Sequence, residues 1–406
     1  MDAQAIQDRF VAQGIDLPPF PPEEYERRQA AVRARMAERG IDVLLVTDPA
    51  NMCYLTGYDA WSFYVHQLLV VELDGGAPLW IGRASDANGA VYTTYLPAEN
   101  VIGYPETCIE SLDNHTMRFV GDLLVSRGRG NGSVGTEMEA YYFTARCQQM
   151  LEATLPNARF VDATGLVNRV RIVKTEPELA YIREAGRIVD IAMQTAVDTI
   201  APGVRQCDAV AAVSHAQIVG TPEYGGEYAS IVPMLPTGIL SGAPHITWSD
   251  RRFREGEGTI VEIAGCRKRY HCPLARTVFL GTPPQELLDT AEAVVEGVAA
   301  ALDAARPGNR AEDVEAVWRK TIAKWGVVKE SRLGYSIGIN YPPDWGEHST
   351  SLRPGDATVL EPDMTFHMMP GLWYERWGIE ISQSFRVTDG APEALTTCPR
   401  ELIVKA

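Results

Sequence analysis

The chain has 406 residues, 46% hydrophobic and 22% charged, the balance of a globular protein with room for two domains. A formal net charge of −16 argues against nucleic acid and an anionic membrane surface as partners. No apolar run is long enough to span a bilayer, and the opening MDAQAIQDRFVAQG has neither the basic nor the apolar segment of a secretory leader, so a cytoplasmic location is expected.

Residues Pro22–Gly40 carry an Arg- and Glu-rich amphipathic pattern closed by Gly40, which predicts a helix. Val43–Thr47 is a short apolar run that predicts a buried strand. DPANMCYLT at 48–56 predicts a turn-rich connection, and Leu68–Leu73 another strand. Between them, GYDAWSFYVHQ at 57–67 is dense in aromatics, a composition that usually belongs to a core. Strands and helices alternate to about Phe160, with a helix expected over Tyr141–Leu155, which gives a first α/β domain. Thr175 followed by Glu178 forms a capping box, with Pro177 tolerated in the first turn, and a long helix is expected over Leu179–Ala201. That helix start sets the domains at 1–173 and 174–406.

In the second domain, Cys207–Val219 predicts a helix, Tyr224–Leu235 a strand, and Pro236–Pro244 a loop ending at His245. Gly258–Gly281 predicts strand, basic turn and strand. Thr259, Ile260, Val261 and Ile263 are apolar or β-branched, yet Glu262 sits among them. A carboxylate in a sheet core is costly to desolvate unless it is paired or used. The structural alternative is an ion pair with Arg267, Lys268, Arg269 or Arg276. Glu286–Ala305 and Asp313–Trp325 are amphipathic helices, and Tyr341–Ser349 is a loop rich in Tyr, Pro and Trp. Phe366–Trp373 and Gly378–Val387 are expected to return as antiparallel strands. Seven cysteines, an odd number without CxxC spacing, fit reduced thiols better than disulfides or zinc. Cys266, His271 and Cys272 likewise lack a recognised ligand frame.

The hairpin at 258–281 resembles the core of the pita-bread superfamily of methionine aminopeptidase, aminopeptidase P and creatinase. That resemblance implies an α/β (α+β) fold, with a small N-terminal creatinase-type domain before a pita-bread domain of antiparallel sheet flanked by helices. In metal-dependent members the first strand carries an Asp ligand and the second an Asp-x-Thr-Arg type of motif. Here Arg276-Thr277 remains and Pro273 stands at the Asp position. Counting back from that end puts Glu262 at the first Asp; counting forward from Gly258 puts Ala264 there. Both face the same side of the strand. The motif that supplies a His ligand reads Gly334-Tyr335-Ser336-Ile337-Gly338, and Glu-Pro-Gly reads Met369-Pro370-Gly371. The last ligand falls at Ser382. Pro, Tyr, Met and Ser cannot supply the ligands that two hard cations need, so a metal-free hydrolase without a cofactor is expected.

Four longer strings are similar to the bacterial ectoine hydrolases of the metal-free, creatinase-like branch: NMCYLTGYDAWSFYVHQ at 51–67, EIAGCRKRYHCPLARTV at 262–278, GYSIGINYPPDWGE at 334–347 and TFHMMPGLW at 365–373. His245, in Ala243-Pro244-His245, matches the Gly-Ala-His segment of creatinase. The resemblance implies a small-molecule substrate, ectoine, with hydroxyectoine as the related candidate. It also implies a homodimer in which the loop Tyr58–Tyr64, with Trp61 and Phe63, reaches the partner's site. Ectoine is a cyclic amidine, protonated at neutral pH, and the carbon between its nitrogens is already electron-poor without a Lewis acid. In the expected site, Glu262 and Glu380 hold the amidinium and attack it or direct water onto it. His245 protonates the departing nitrogen, and the ring opens to an N-acetyl-2,4-diaminobutyrate. Tyr335, Trp345, Trp373 and Trp377 supply aromatic walls for a delocalised cation. The sequence leaves three alternatives: a creatinase-like amidinohydrolase or lyase on another small osmolyte, an aminopeptidase P-type metallopeptidase, and a non-catalytic binding module.

Overall fold

The structure, a computed structural model, describes residues 10, 12–15, 17–111 and 113–406, so most of the stretch inspected for a leader lies outside the described residues. The chain divides into two units, one ending at Arg171 and one spanning Ile172–Ala406.

In the first unit, helix α1 (Pro22–Glu38) opens on a proline, which needs no helical N–H partner there. Glu23 and Glu24 lie in its first turn and Arg35 in its last, as the helix dipole favours. Strand β1 (Val43–Val46) follows. The connection at 48–56, expected as turns, is instead helix α2 (Pro49–Thr56). Asp48 Oδ1 accepts the Ala50 N–H at 2.7 Å, Pro49 occupies the first turn, and Gly57 closes the helix at φ 83°. Asp and Pro cap helices as readily as they start turns, which is why the stretch misleads. The elements that follow include β2 (Leu68–Glu72), β3 (Leu79–Arg83), β4 (Val101–Tyr104), α3 (Thr116–Ser126), β5 (Ser133–Thr136), α4 (Ala145–Thr154) and β6 (Arg159–Asp162), with short helices at Ala87–Thr93 and Leu166–Val170. Helix α4 starts later than expected because Thr144 Oγ1 caps it, accepting from the Cys147 N–H at 3.3 Å. The sheet runs β4-β3-β2-β1-β5-β6, with β1 antiparallel to β2 and parallel to β5. Its core joins Leu45, Val70 and Ile81 to Met117, Val120 and Leu151 of the helices.

In the second unit, the expected capping box opens α5 (Glu176–Thr199): the Glu178 side chain accepts the Thr175 N–H at 2.8 Å. Next comes α6 (Gln206–Val219). Residues 224–235, expected as a strand, form irregular chain with one isolated bridge, Met234 to Glu262. Pro233 and Pro236 carry no N–H, so a continuous ladder cannot form there. The hairpin is β7 (Gly258–Arg267) and β8 (Tyr270–Leu280), with Glu262 opposite Ala275. Helices α7 (Gln285–Ala304) and α8 (Ala311–Ala323) precede β9 (Gly334–Ile337) and β10 (Gly346–Leu352), the latter beginning inside the expected loop. The last strands are β11 (Thr365–Met368), β12 (Leu372–Trp373), β13 (Gly378–Ile379), β14 (Gln383–Arg386), β15 (Glu393–Ala394) and β16 (Ile403–Lys405). The two expected return strands are therefore each broken in two, the first at Met369-Pro370-Gly371. One sheet runs β10-β9-β11-β14-β15 and a second β16-β8-β7. Val294, Val298, Trp318 and Ile322 of the two helices pack with Phe366 and Phe385 in the main core. No helix among the described residues is long and apolar enough to cross a membrane.

Candidate active site

Glu262 lies mid-strand in β7, whose backbone is bonded on both edges: by β8 on one, and by reciprocal 3.0 Å hydrogen bonds with Met234 on the other. Its side chain is 6% exposed. Three of the basic residues named by the sequence are committed elsewhere. Arg267 pairs with Glu184 and Arg269 with Glu227. Arg276 donates to the carbonyl oxygens of Ala275, Ser382, Cys398 and Pro399. Burial first, then repulsion from Glu380 and Asp344, push the Glu262 carboxyl well above its ordinary range.

Glu380 directly follows β13 and is buried. Thr277 clamps its backbone: the Glu380 N–H donates to Thr277 Oγ1 at 2.8 Å, and the hydroxyl donates back to the Glu380 carbonyl at 3.1 Å. Its Oε1 is buried without a hydrogen-bond partner among the described residues. Burial pushes the Glu380 carboxyl up to about 7 against the opposing pull of the Lys329 ammonium. Lys329 is itself buried, donating to Ser331 Oγ at 2.7 Å and to the Gly371 carbonyl at 2.9 Å, with Nζ 5.2 Å from the centre of the Trp373 ring. Desolvation brings Lys329 down to about 8, with Glu380 working the other way. Asp344 behaves differently. Burial raises it, but hydrogen bonds from His348 and the Gly346 N–H hold it below its usual value.

The wall beside Glu262 is aromatic. Ala264, on the same face of β7, clusters with Tyr335, Ile337 and Trp345. Trp345 Nε1 donates to Tyr335 Oη at 2.7 Å, and the same oxygen lies 3.1 Å from His367 Nδ1. His367 Nε2 meets Ser382 Oγ at 2.8 Å, and Ser382 Oγ accepts the Ala275 N–H at 2.7 Å. Burial, with the charges of Arg276 and Arg332, brings His367 down to about 3, so it is a neutral imidazole. Burial, then the charge of Glu262, pushes the Tyr335 phenol up, so it is a neutral hydroxyl.

Of the residues expected from sequence, the structure groups Glu262, Glu380, Tyr335 and Trp345, and sets Trp373 beside Lys329. Trp377 stacks on Tyr374 at 4.5 Å and packs against the main core. His245 is exposed, in a left-handed conformation at φ 61°, and makes no hydrogen bond among the described residues. It lies just past Ser241, whose Oγ accepts the Gly378 N–H at 3.1 Å. Trp61, 58% exposed, and Phe63 belong to the first unit, their ring centres 4.8 Å apart. Lys329, His367 and Asp344 were missed by the sequence reading. His367 and Asp344 lie inside strings quoted for the family likeness, but Lys329 sits in a polar stretch that resembles any solvated turn. By the motif likeness drawn from the sequence, the superfamily's metal positions fall on Pro273, Tyr335, Met369 and Ser382. Among the described residues, no trio of His, Cys, Asp or Glu ligand atoms forms around Glu262. This donor set does not fit a pair of hard cations.

An α/β unit followed by an antiparallel unit with a carboxylate on its core hairpin defines the class of pita-bread hydrolases. The profile described as metallopeptidase family M24 matches residues 180–389, and that of the creatinase/prolidase N-terminal domain matches 28–173. The chain belongs to family M24. It is 48% identical to the ectoine hydrolase of Halomonas elongata, over 95% of this chain and 98% of that one. It is 49% identical to an uncharacterised hydrolase/peptidase of Sinorhizobium fredii, over 95% and 98%. Among solved structures, the dipeptidase PepE of Mycobacterium ulcerans superposes with a TM-score of 0.78 at 23% identity, covering 95% of this chain and 99% of that one. A prolidase of Thermococcus sibiricus gives 0.80 at 20%, covering 94% and 99%. At such identities the structural likeness shows the fold alone.

Proposed function

We propose that the chain hydrolyses the cyclic amidine ring of ectoine to an N-acetyl-2,4-diaminobutyrate, without a metal. The observation that carries this is Glu262: a buried carboxyl, held near a second buried carboxyl and against an aromatic wall, with no side-chain hydrogen bond or ion pair among the described residues. A bound amidinium supplies the cation that Glu262 lacks and favours its ionised form. Glu262 then attacks the ring carbon or takes the proton of the attacking water. The tetrahedral carbon collapses as the ring nitrogen leaves with a proton, and where Glu262 is the nucleophile water then cleaves the bond to its carboxyl and releases the product. His245 is the donor expected by family likeness. Glu380 is the donor we favour: it is buried beside Glu262, its carboxyl is pushed up to about 7 by burial, and Lys329 balances its carboxylate. The likeness to the Halomonas elongata enzyme supports the substrate, and the altered ligand positions support metal independence.

A cytoplasmic homodimer belongs to the same proposal, with the Tyr58–Tyr64 segment offered to the partner's site. The exposure of Trp61 and Tyr64 supports it. Incubating purified protein with ectoine, hydroxyectoine and creatine, with NMR of the products before and after chelation, tests the reading. A ring-opened amine formed at an unchanged rate after chelation is expected. Urea from creatine, or proline-peptide cleavage that tracks added manganese, refutes it.

A further inference from the structure

The first unit holds a side-chain cluster that ring opening does not use. His66 precedes β2, His115 stands at the N-terminus of α3, and Cys147 lies in the first turn of α4. One ligand atom from each lies within 4.8 Å of the other two. His66 Nδ1 and Nε2 are 3.7 and 3.8 Å from Cys147 Sγ. Tetrahedral coordination at ordinary zinc–nitrogen and zinc–sulfur lengths puts N and S about 3.6 Å apart. Cys147 and His115 are buried and His66 is half-buried, so the cluster is closed on its inner side and open on one.

We propose that His66, His115 and Cys147 form a three-ligand site for a borderline-soft divalent cation of the zinc type, with its fourth position open to water. Two features orient His66 for this: a ring hydrogen bond to the Tyr142 backbone, and the Tyr104 hydroxyl donating to the His66 carbonyl at 2.7 Å. A backbone partner on the far ring nitrogen is the usual support of a metal-bound imidazole. Two features oppose it. His115 Nδ1 accepts the Met117 N–H at 3.1 Å, so coordination through Nε2 moves a proton and gives up that helix cap. The guanidinium of Arg146 also bears on His115. One cap is weak beside three metal–ligand bonds, and Arg146 is exposed, where its charge is screened. On binding, the Cys147 thiol proton and the His115 Nε2 proton leave to solvent or to Nδ1, and no redox change is involved. The cysteine spacing along the chain hides such a site because its ligands come from three separate segments.

The test uses the full chain, stripped by chelation and titrated with cobalt(II) without substrate, so its outcome is independent of ring opening. At one equivalent, a thiolate-to-cobalt charge-transfer band and tetrahedral visible bands are expected, and zinc(II) should bleach both. C147S should abolish the charge-transfer band. H115N, which keeps a capping side chain, should weaken cobalt binding at least tenfold with unchanged far-ultraviolet circular dichroism. No band at one equivalent, a band that persists in C147S, or unaltered affinity in H115N overturns the site.

Discussion

Replacing Glu262 by glutamine separates the two things that the residue does. At pH 7 the folded protein holds this carboxyl above its ordinary range, while the unfolded chain releases the proton near 4.5. Between those two values the fold gives up stability as pH rises, by no more than about 1.4 kcal/mol per pH unit. Glutamine removes that cost, and its amide can donate to the neighbouring Glu380 carboxylate. The sign follows from linkage. A raised carboxyl is fully compatible with the fold below pH 4.5 and works against it as pH rises toward the folded-state value. E262Q should therefore be more stable than the native protein by a margin that grows from pH 5 to pH 7, by at most about 1.4 kcal/mol per pH unit. For a unit of 235 residues each kcal/mol gained raises the thermal midpoint by roughly 2–4 °C. The same variant should lose at least about a hundredfold in ectoine turnover, as befits a lost base or nucleophile. Parallel thermal melts at pH 5 and 7, with NMR-detected turnover, measure both. A variant that is less stable at pH 7, or equally shifted at both pH values, would mean that Glu262 is ion-paired. Undiminished turnover would remove it from the chemistry.

Lys329 gives a pH-dependent test: its ammonium is held to about 8, so turnover should fall above about pH 8 as the charge is lost. K329M should remove that limb and lower kcat/KM about a hundredfold, read from pH–rate profiles of both proteins. Y335F leaves the buried Trp345 N–H without its acceptor and should cost about 1–3 kcal/mol, seen in urea denaturation. The buried pair of Lys174 and Glu347, 2.8 Å apart, should make K174M cost about 3–5 kcal/mol, and adding E347L should restore most of the loss.

What was legible in the sequence was local. The capping box at Thr175 and Glu178 depends on residues three apart, and the two apolar, β-branched runs around a basic turn in 258–281 point to a hairpin by themselves. Glu262 was conspicuous because a charge interrupts the first of those runs. Helix α2 was not legible, since Asp48, Pro49 and Asn51 begin helices and turns alike. Residues 224–235 look like a strand by composition, and only the missing N–H groups of Pro233 and Pro236 argue otherwise. Glu380 was expected in the site, but its burial was not legible, because β13 has two residues and its backbone is held by Thr277 of the hairpin. Lys329 is buried by the Gly371–Trp373 turn, a contact made far along the chain. No periodicity records such contacts.

The motif residues that remain in this chain fit backbone rather than bind ligands. Arg276 gathers four carbonyl oxygens, two of them from the C-terminal segment at 398–399, and Thr277 grips the backbone of Glu380. Gly338 leaves room for Glu347, whose Oε1 would lie 2.1 Å from any added Cβ, and Gly334 does the same for the His367 carbonyl at 2.4 Å. These residues hold β7, β8, β9 and the last strands in register whatever sits between them. The positions that would touch a metal are the ones that differ: Pro273, Tyr335, Met369 and Ser382. Tyr335 and Ser382 now belong to one hydrogen-bonded row through His367, which turns a former ligand ring into a rigid neutral wall. A likeness to peptidases carried by the first kind of residue therefore reports the frame. The second kind decides the chemistry, and the proposed ring opening rests on the two buried carboxyls found there, Glu262 and Glu380.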